Sequence, residues 1–174
     1  MKIIFVDGYN VINSWPNLKK QKDYSFDGAR QSLIDSLHNY SVYEDCKIII
    51  VFDAHKVTRS IEKKEDINSN ISIVFTKDGE TADSYIEREV HNLGRRFEVY
   101  VVTSDWLEQQ TIFQRGAVRI SALEFYNEVI ETQGRIKKKT LKNMYSSKNH
   151  LGDNIDEDIF KKLEAIRRSE KAFD

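Results

Sequence analysis

The sequence predicts an α/β fold: a central parallel five-stranded sheet with helices on both faces, three layers in all. Two observations carry this. Short runs that are apolar at every position, as strands buried on both sides are, recur along the 174 residues. Between them lie segments whose apolar residues fall at helical spacing, and that alternation builds parallel sheets with right-handed crossovers.

The first strand is Ile3 to Val6, running straight into Asp7 and then Gly8, Tyr9 and Asn10. Val11 to Pro16 are expected to continue into a turn. Over 27–40, Ala29, Leu33, Leu37 and Tyr40 share one helix face. Ile48 to Phe52 form a second strand ending in Asp53, and the polar stretch 54–70 reads as a loop with at most a short helix. Ile71 to Phe75 form the third strand. A helix follows with Ala82, Ile86, Val90 and Leu93 as its apolar stripe and Gly94 as its stop. Glu98 to Val102 are the fourth strand, a helix runs from about Ser104 to Phe113, and Ala117 to Ile120 make a short fifth strand. Ser121 and Glu124 have the spacing of a capping box, opening a helix with Phe125, Val129 and Ile130 apolar. Residues 132–152 hold no acid and read as a basic connector. Ile155, Ile159, Leu163 and Ile166 then mark a last amphipathic helix. The expected organisation is a main domain over 1–134 and a connector with a C-terminal helix over 135–174.

Hydrophobic residues make up 40% of the chain, enough for a core, and the net charge of −1 neither demands nor excludes a nucleic-acid partner. Cys46 is the only cysteine. It excludes an intramolecular disulfide and a thiolate metal site, and reads as a small core residue. The N-terminus reads as a strand and not a signal peptide. No apolar stretch approaches the roughly 18 residues of a membrane span. The expected location is the cytoplasm, and the expected state a monomer or weak oligomer.

The chemistry lies in the acids. Asp7, Asp53 and Asp105 each follow a buried strand directly or within three residues. In an open parallel sheet those strand ends lie along one edge, where ligands bind. Glu80 and Asp83 stand three apart at the start of the helix after strand three, so they share a face at the same edge. Each acid alone also suits a structural role, at a helix start or a loop opening. Gathered together they repel, and several take up protons unless a cation joins them. All-oxygen ligands favour Mg²⁺ or Mn²⁺ over zinc. Such a site can activate water and hold a phosphodiester for attack. Other small α/β enzymes fit less well. No glycine-rich phosphate loop follows strand one, and no G-x-S-x-G elbow is present. A second acid two residues after Asp7, which an aspartyl-phosphate phosphatase wants, is replaced by Tyr9. His38, His55, His91 and His150 show no metal-ligand spacing.

These pieces carry a resemblance. Asp7-Gly8-Tyr9-Asn10-Val11-Ile12, Val51-Phe52-Asp53-Ala54, Glu80-Thr81-Ala82-Asp83 with Ser84-Tyr85-Ile86-Glu87, and Thr103-Ser104-Asp105-Trp106 with Leu107-Glu108-Gln109 resemble the YacP-like branch of the NYN-domain proteins, within the wider PIN-like nuclease group. Arg115-Gly116-Ala117, Arg119-Ile120-Ser121-Ala122 and the run Lys162 to Arg168 also fit, so the resemblance covers nearly the whole chain. It implies a PIN-like fold and a Mg²⁺- or Mn²⁺-dependent endoribonuclease acting on mRNA, in association with the translating ribosome. It implies Asp7, Asp83 and Asp105 as the principal acids, with Glu80 and Asp53 supporting, and Asn10 and Ser104 orienting ligands or a phosphate.

Two basic stretches can meet the RNA. One follows Asp53, with Lys56, Arg59, Lys63 and Lys64. The other holds Arg135, Lys137, Lys138, Lys139, Lys142 and Lys148, with Tyr145 available to stack on an unpaired base. A solvated connector is the plainer account of such a run. Two competing functions share these features: a structure-selective nuclease acting on DNA, and a non-catalytic RNA- or ribosome-binding module.

Overall fold

The structure, a computed structural model, describes residues 1–53, 63–104 and 117–153, together with Ile159 and Lys162, with the backbone alone described at Arg95 and at 144–153. The elements are β1 (Lys2–Asp7), α1 (Gly8–Ser14), α2 (Pro16–Lys22), α3 (Phe26–Tyr43), β2 (Cys46–Phe52), β3 (Lys63–Asp66), β4 (Ile71–Phe75), α4 (Ala82–Leu93), β5 (Glu98–Val102), β6 (Val118–Ile120) and α5 (Ala122–Asp153). Contacts divide the chain into two compact units, Met1–Gln133 and Gly134–Asp174.

The first unit holds a six-stranded sheet in the order β3-β4-β2-β1-β5-β6. Every described pairing is parallel except β3 with β4. The five expected strands are present. The sixth, β3, corrects the loop expected there. Its sequence, Lys63-Lys64-Glu65-Asp66, has no apolar alternation to reveal it, and charged residues are what an exposed edge strand carries.

Alternation along each strand divides the core. Ile4, Val6, Ile48, Ile50 and Phe52 face one side, where Val11, Trp15, Leu18, Leu33, Leu37, Phe125 and Val129 from the helices pack on them. Ile3, Phe5, Val51 and Val74 face the other, against Ala82, Tyr85, Ile86 and Val90 of α4. Each such large side chain contributes about 1.5–3 kcal/mol by leaving water. Cys46 is 2% exposed at the start of β2, and burial pushes its thiol up to about 11, which keeps it inert.

The expected turn over Val11 to Pro16 is instead two short helices. Asp7 caps the first through its side chain, and Pro16 opens the second at the position where a missing N–H costs nothing. Trp15 joins them and donates its indole N–H to the Ala122 carbonyl at 2.8 Å. Gly94 ends α4 at φ +59°, a conformation that a side chain resists. The Ser121–Glu124 capping box is formed: Glu124 Oε2 accepts from Ser121 N at 2.9 Å, and Ser121 Oγ accepts from Glu124 N at 3.2 Å. Ser121→Ala is expected to cost about 1 kcal/mol, measured by urea unfolding.

The basic run 132–152 is helical, since α5 is continuous to Asp153. Its apolar periodicity fades after Thr132, but lysine and leucine are good helix formers and no proline intervenes. Gly134 costs only about 1 kcal/mol. The expected helix from Ser104 to Phe113 and most of the one from Ile155 lie outside the described residues. No described helix is long and apolar enough to cross a membrane.

Candidate functional site

Sheet order fixes where ligands meet this fold. From β1 the chain moves to β2 through α3 on one face. It later returns to β1's other side as β5, through α4 on the opposite face. The crevice at the carboxyl ends of β1 and β5 is therefore the topological switch point. Asp7 ends β1 there. In the register Asp7 lies opposite Val51, and Val6 opposite Val102. Asp53 and Ser104 thus emerge along the same edge.

Asp7 is only 8% exposed. Its Oδ1 accepts from Asn10 N at 2.9 Å, closing the first turn of α1. Burial is the largest influence on its acidity and pushes its pKa up to about 6. The Asn10 N–H works against that, and the charges of Asp83 and then Asp53 push it further up. The edge therefore holds a desolvated carboxyl within electrostatic reach of two others, an arrangement a cation relieves.

Local structure explains how Asp83 arrives. Thr76 N donates to Phe52 O at 3.0 Å and Thr76 Oγ1 to Glu80 O at 2.7 Å, folding the turn after β4 back over the end of β2. Asp53 then accepts the backbone N–H of Ala82, the first residue of α4. Thr81 caps the helix by accepting from Ser84 N at 3.2 Å. Asp83, in the first turn, is left half-buried. Asp53 thus ties β2 to α4 besides adding charge at the edge.

Glu80, expected as a supporting metal ligand, has a protein partner in the fold. It pairs with Arg88, eight residues on and about two turns into α4, and the charges that raise Asp7 are those of Asp83 and Asp53. Its Oε2 is buried and has no hydrogen-bond partner.

Asn10 and Ser104, expected to orient ligands, are brought into contact. Asn10 Oδ1 accepts from Ser104 N at 3.2 Å, so its amide holds the segment leaving β5. Ser104 Oγ lies 3.4 Å from Ser14 Oγ. Ser14 escapes sequence reasoning because it depends on α1, which the sequence concealed. Asp105, next to Ser104, lies outside the described residues.

Among the described residues no three of His, Cys, Asp and Glu converge closely enough to hold a metal by themselves. What they offer is the Asp7–Asp83 pair with Asp53 nearby. This donor set is made of oxygen and fits Mg²⁺ or Mn²⁺ chemistry.

The floor of this edge is aromatic. The Tyr9 ring meets Phe26 and Phe52, each at 5.2 Å between centroids. Gly8 is required by that packing: it sits in ordinary helical backbone, and a methyl there would overlap the Phe52 ring.

Of the basic positions, Lys56 and Arg59 lie outside the described residues. Lys63 is on β3 and pairs with Glu65. Arg135, Lys137, Lys138, Lys139 and Lys142 are exposed on α5, and the same helix extends past Tyr145 and Lys148. Positions 135, 138, 139 and 142 follow i, i+3, i+4, i+7 spacing and share one face. His38 shares a 2.8 Å hydrogen bond with Asn68, and His91 is exposed in the last turn of α4.

The profile of the YacP-like NYN domain matches residues 4–168. A protein of Bacillus subtilis strain 168 described as uncharacterized protein YacP is 40% identical over 171 residues, which is 98% of this chain and 99% of that one. The crystal structure of Rae1 (YacP) from B. subtilis superposes with a TM-score of 0.72 at 37% identity, covering 99% of this chain and 98% of that chain. The crystal structure of a mutant form of that protein does so at 0.72 and 39%, covering 83% and 85%.

Proposed function

The chain belongs to the YacP-like NYN-domain family, and on that footing we propose that it is a divalent-metal-dependent endoribonuclease cutting single-stranded mRNA, in association with the translating ribosome. The observation that supports this best is the buried Asp7 at the β1–β5 switch point, whose carboxyl is raised by burial and by the charges of Asp83 and Asp53. Burying Asp7 within reach of two other carboxylate charges is costly for the fold alone, and an oxygen-rich site is what a phosphodiester hydrolase needs. Mg²⁺ or Mn²⁺, when bound, supplies charge neutralisation and activation of water.

The chain's own residues then have distinct tasks. Asp7 and Asp83 hold the cation, with Asp105 as the third acid that the family motif assigns. Asp53 fixes the start of α4 so that Asp83 stays at the edge. Asn10 fixes the segment carrying Ser104 and Asp105. Ser104 is an exposed hydroxyl that can donate to a phosphate oxygen. The exposed lysine face of α5 attracts the RNA backbone.

A non-catalytic RNA-binding module is the second reading, favoured by the exposed basic residues Arg135, Lys138, Lys139 and Lys142 along one face of α5. The two separate in one assay. Purified protein is incubated with mRNA and Mg²⁺ or Mn²⁺, with and without translating ribosomes. Metal-dependent cleavage supports the nuclease, and the ribosome arms read whether translation is required. RNA bound and left intact in every arm supports the module.

Reversing Lys137, Lys138 and Lys139 to glutamate is expected to weaken RNA binding and flatten its salt dependence. Three single-strand contacts at ~0.7 each account for about 2 of the log–log slope. Affinity for Mn²⁺ should be unchanged. An unaltered slope would return this stretch of α5 to a solvated surface.

A further inference from the structure

A cleft of about 390 Å³ opens between α3 and the β2–β4–β3 side of the sheet. Its floor includes Phe52 and Phe75, which stack at 5.7 Å with 23° between the planes. Arg30 lays its guanidinium over both rings, 5.8 Å from Phe52 and 5.7 Å from Phe75. Phe75 is only half-buried, so part of its ring faces the opening. The cleft carries charge, but the charge is balanced. Arg30 pairs with Asp27, and Lys63 with Glu65. A cleft meant for a phosphate would hold spare cations. This one combines flat aromatic and guanidinium surfaces with polar groups of both signs, which suits a neutral, planar, hydrogen-bonding ring. Unpaired bases stack on aromatic side chains and on arginine planes in this way.

The cleft and the acidic edge are linked through Phe52, which lines the cleft. Phe52 immediately precedes Asp53. The Tyr9 ring, two residues beyond Asp7, packs edge-on against Phe52. A strand whose phosphate lies at Asp7 therefore has a base-sized recess beside it. We propose that this cleft is a subsite for one unpaired nucleobase of the RNA strand, at a fixed offset from the scissile phosphate. The proposal rests on the endoribonuclease reading and adds a base-binding determinant to it. It also implies that Arg30 and Phe75 contact substrate.

The test is an abasic scan. Short single-stranded RNAs, each lacking one base, are titrated against the full chain in EDTA, where binding is read without cleavage. One position should lose about tenfold in affinity, as loss of a stacked base does, and the others should lose little. Gln31 lines the cleft mouth and is exposed. Gln31→Trp should fill the recess, weaken binding of intact RNA, and abolish the dependence on that one position. Asn39→Trp, on α3 outside the lining, should leave the abasic profile as it was. Arg30→Met, which keeps the length but removes the planar cation, should shrink the tenfold effect and serves if Gln31→Trp melts early. A flat abasic profile, or the same position-specific loss in Gln31→Trp, overturns the subsite. Failure of the nuclease reading looks different: a position-specific binding profile with no cleavage on adding Mg²⁺ or Mn²⁺.

Discussion

Asp7→Asn is expected to abolish RNA cleavage while making the metal-free protein more stable. The activity loss should exceed about 100-fold, beyond the cost of removing an outer-shell partner of a metal site. The gain in stability follows from linkage. Burial, with Asp83 and Asp53, raises the Asp7 carboxyl from 3.8 to about 6 in the fold. Between those values the folded state holds a proton that the unfolded state has released, so stability falls as pH rises through that window. Above about pH 6 the full cost is present, at most about 3 kcal/mol. Asparagine has no charge to bury, yet its side-chain oxygen can still accept from Asn10 N and keep the α1 cap. Urea unfolding in EDTA at pH 7.5 should therefore show the variant about 1–3 kcal/mol more stable, with the gap closing below about pH 4. A variant that is less stable at every pH would mean that Asp7 serves the fold.

Gly8→Ala is expected to lower stability by about 1–3 kcal/mol, the usual cost of overpacking a filled core. A methyl at Gly8 would overlap the Phe52 ring, which is itself fully buried against Tyr9 and Phe75. Either the ring moves or α1 does. Movement of α1 carries Asp7 with it, so cleavage should fall alongside stability. The melting temperature should drop by roughly 2–4 °C for each kcal/mol at this chain length. Phe52→Leu makes room, so the double variant should be more stable than the two single losses added together. Additive losses would place the constraint on Gly8 elsewhere.

What the sequence revealed and what it concealed have physical causes. Strands β1, β2, β4 and β5 were legible because their middles are buried on both faces and mostly apolar. The helix stripe of α4 and the Ser121–Glu124 box were legible because their signals are local. Helix α1 was not, although Asp7 is its cap, because an acid at a strand end invites a chemical reading before a structural one. Strand β3 was hidden because an edge strand has no buried face. The basic part of α5 was hidden because helix propensity continued after the apolar pattern had stopped. At the site, strand order puts the ends of β1 and β2, with Asp7 and Asp53, along one edge. Glu80 pairs with Arg88, eight residues on, a contact visible only once α4 is built. The contact of Asn10 with Ser104 spans the sheet and depends on register.

Binding of Mn²⁺, followed by calorimetry and paired with RNA cleavage on the same preparations, tests the central claim most directly. The claim is that Asp7 and Asp83 share one cation on which cleavage depends. Wild-type protein should bind Mn²⁺ and cut, and Asp7→Asn and Asp83→Asn should each lose both while remaining folded. Cleavage at the wild-type rate by either variant, or Mn²⁺ bound equally by all three proteins, would contradict it.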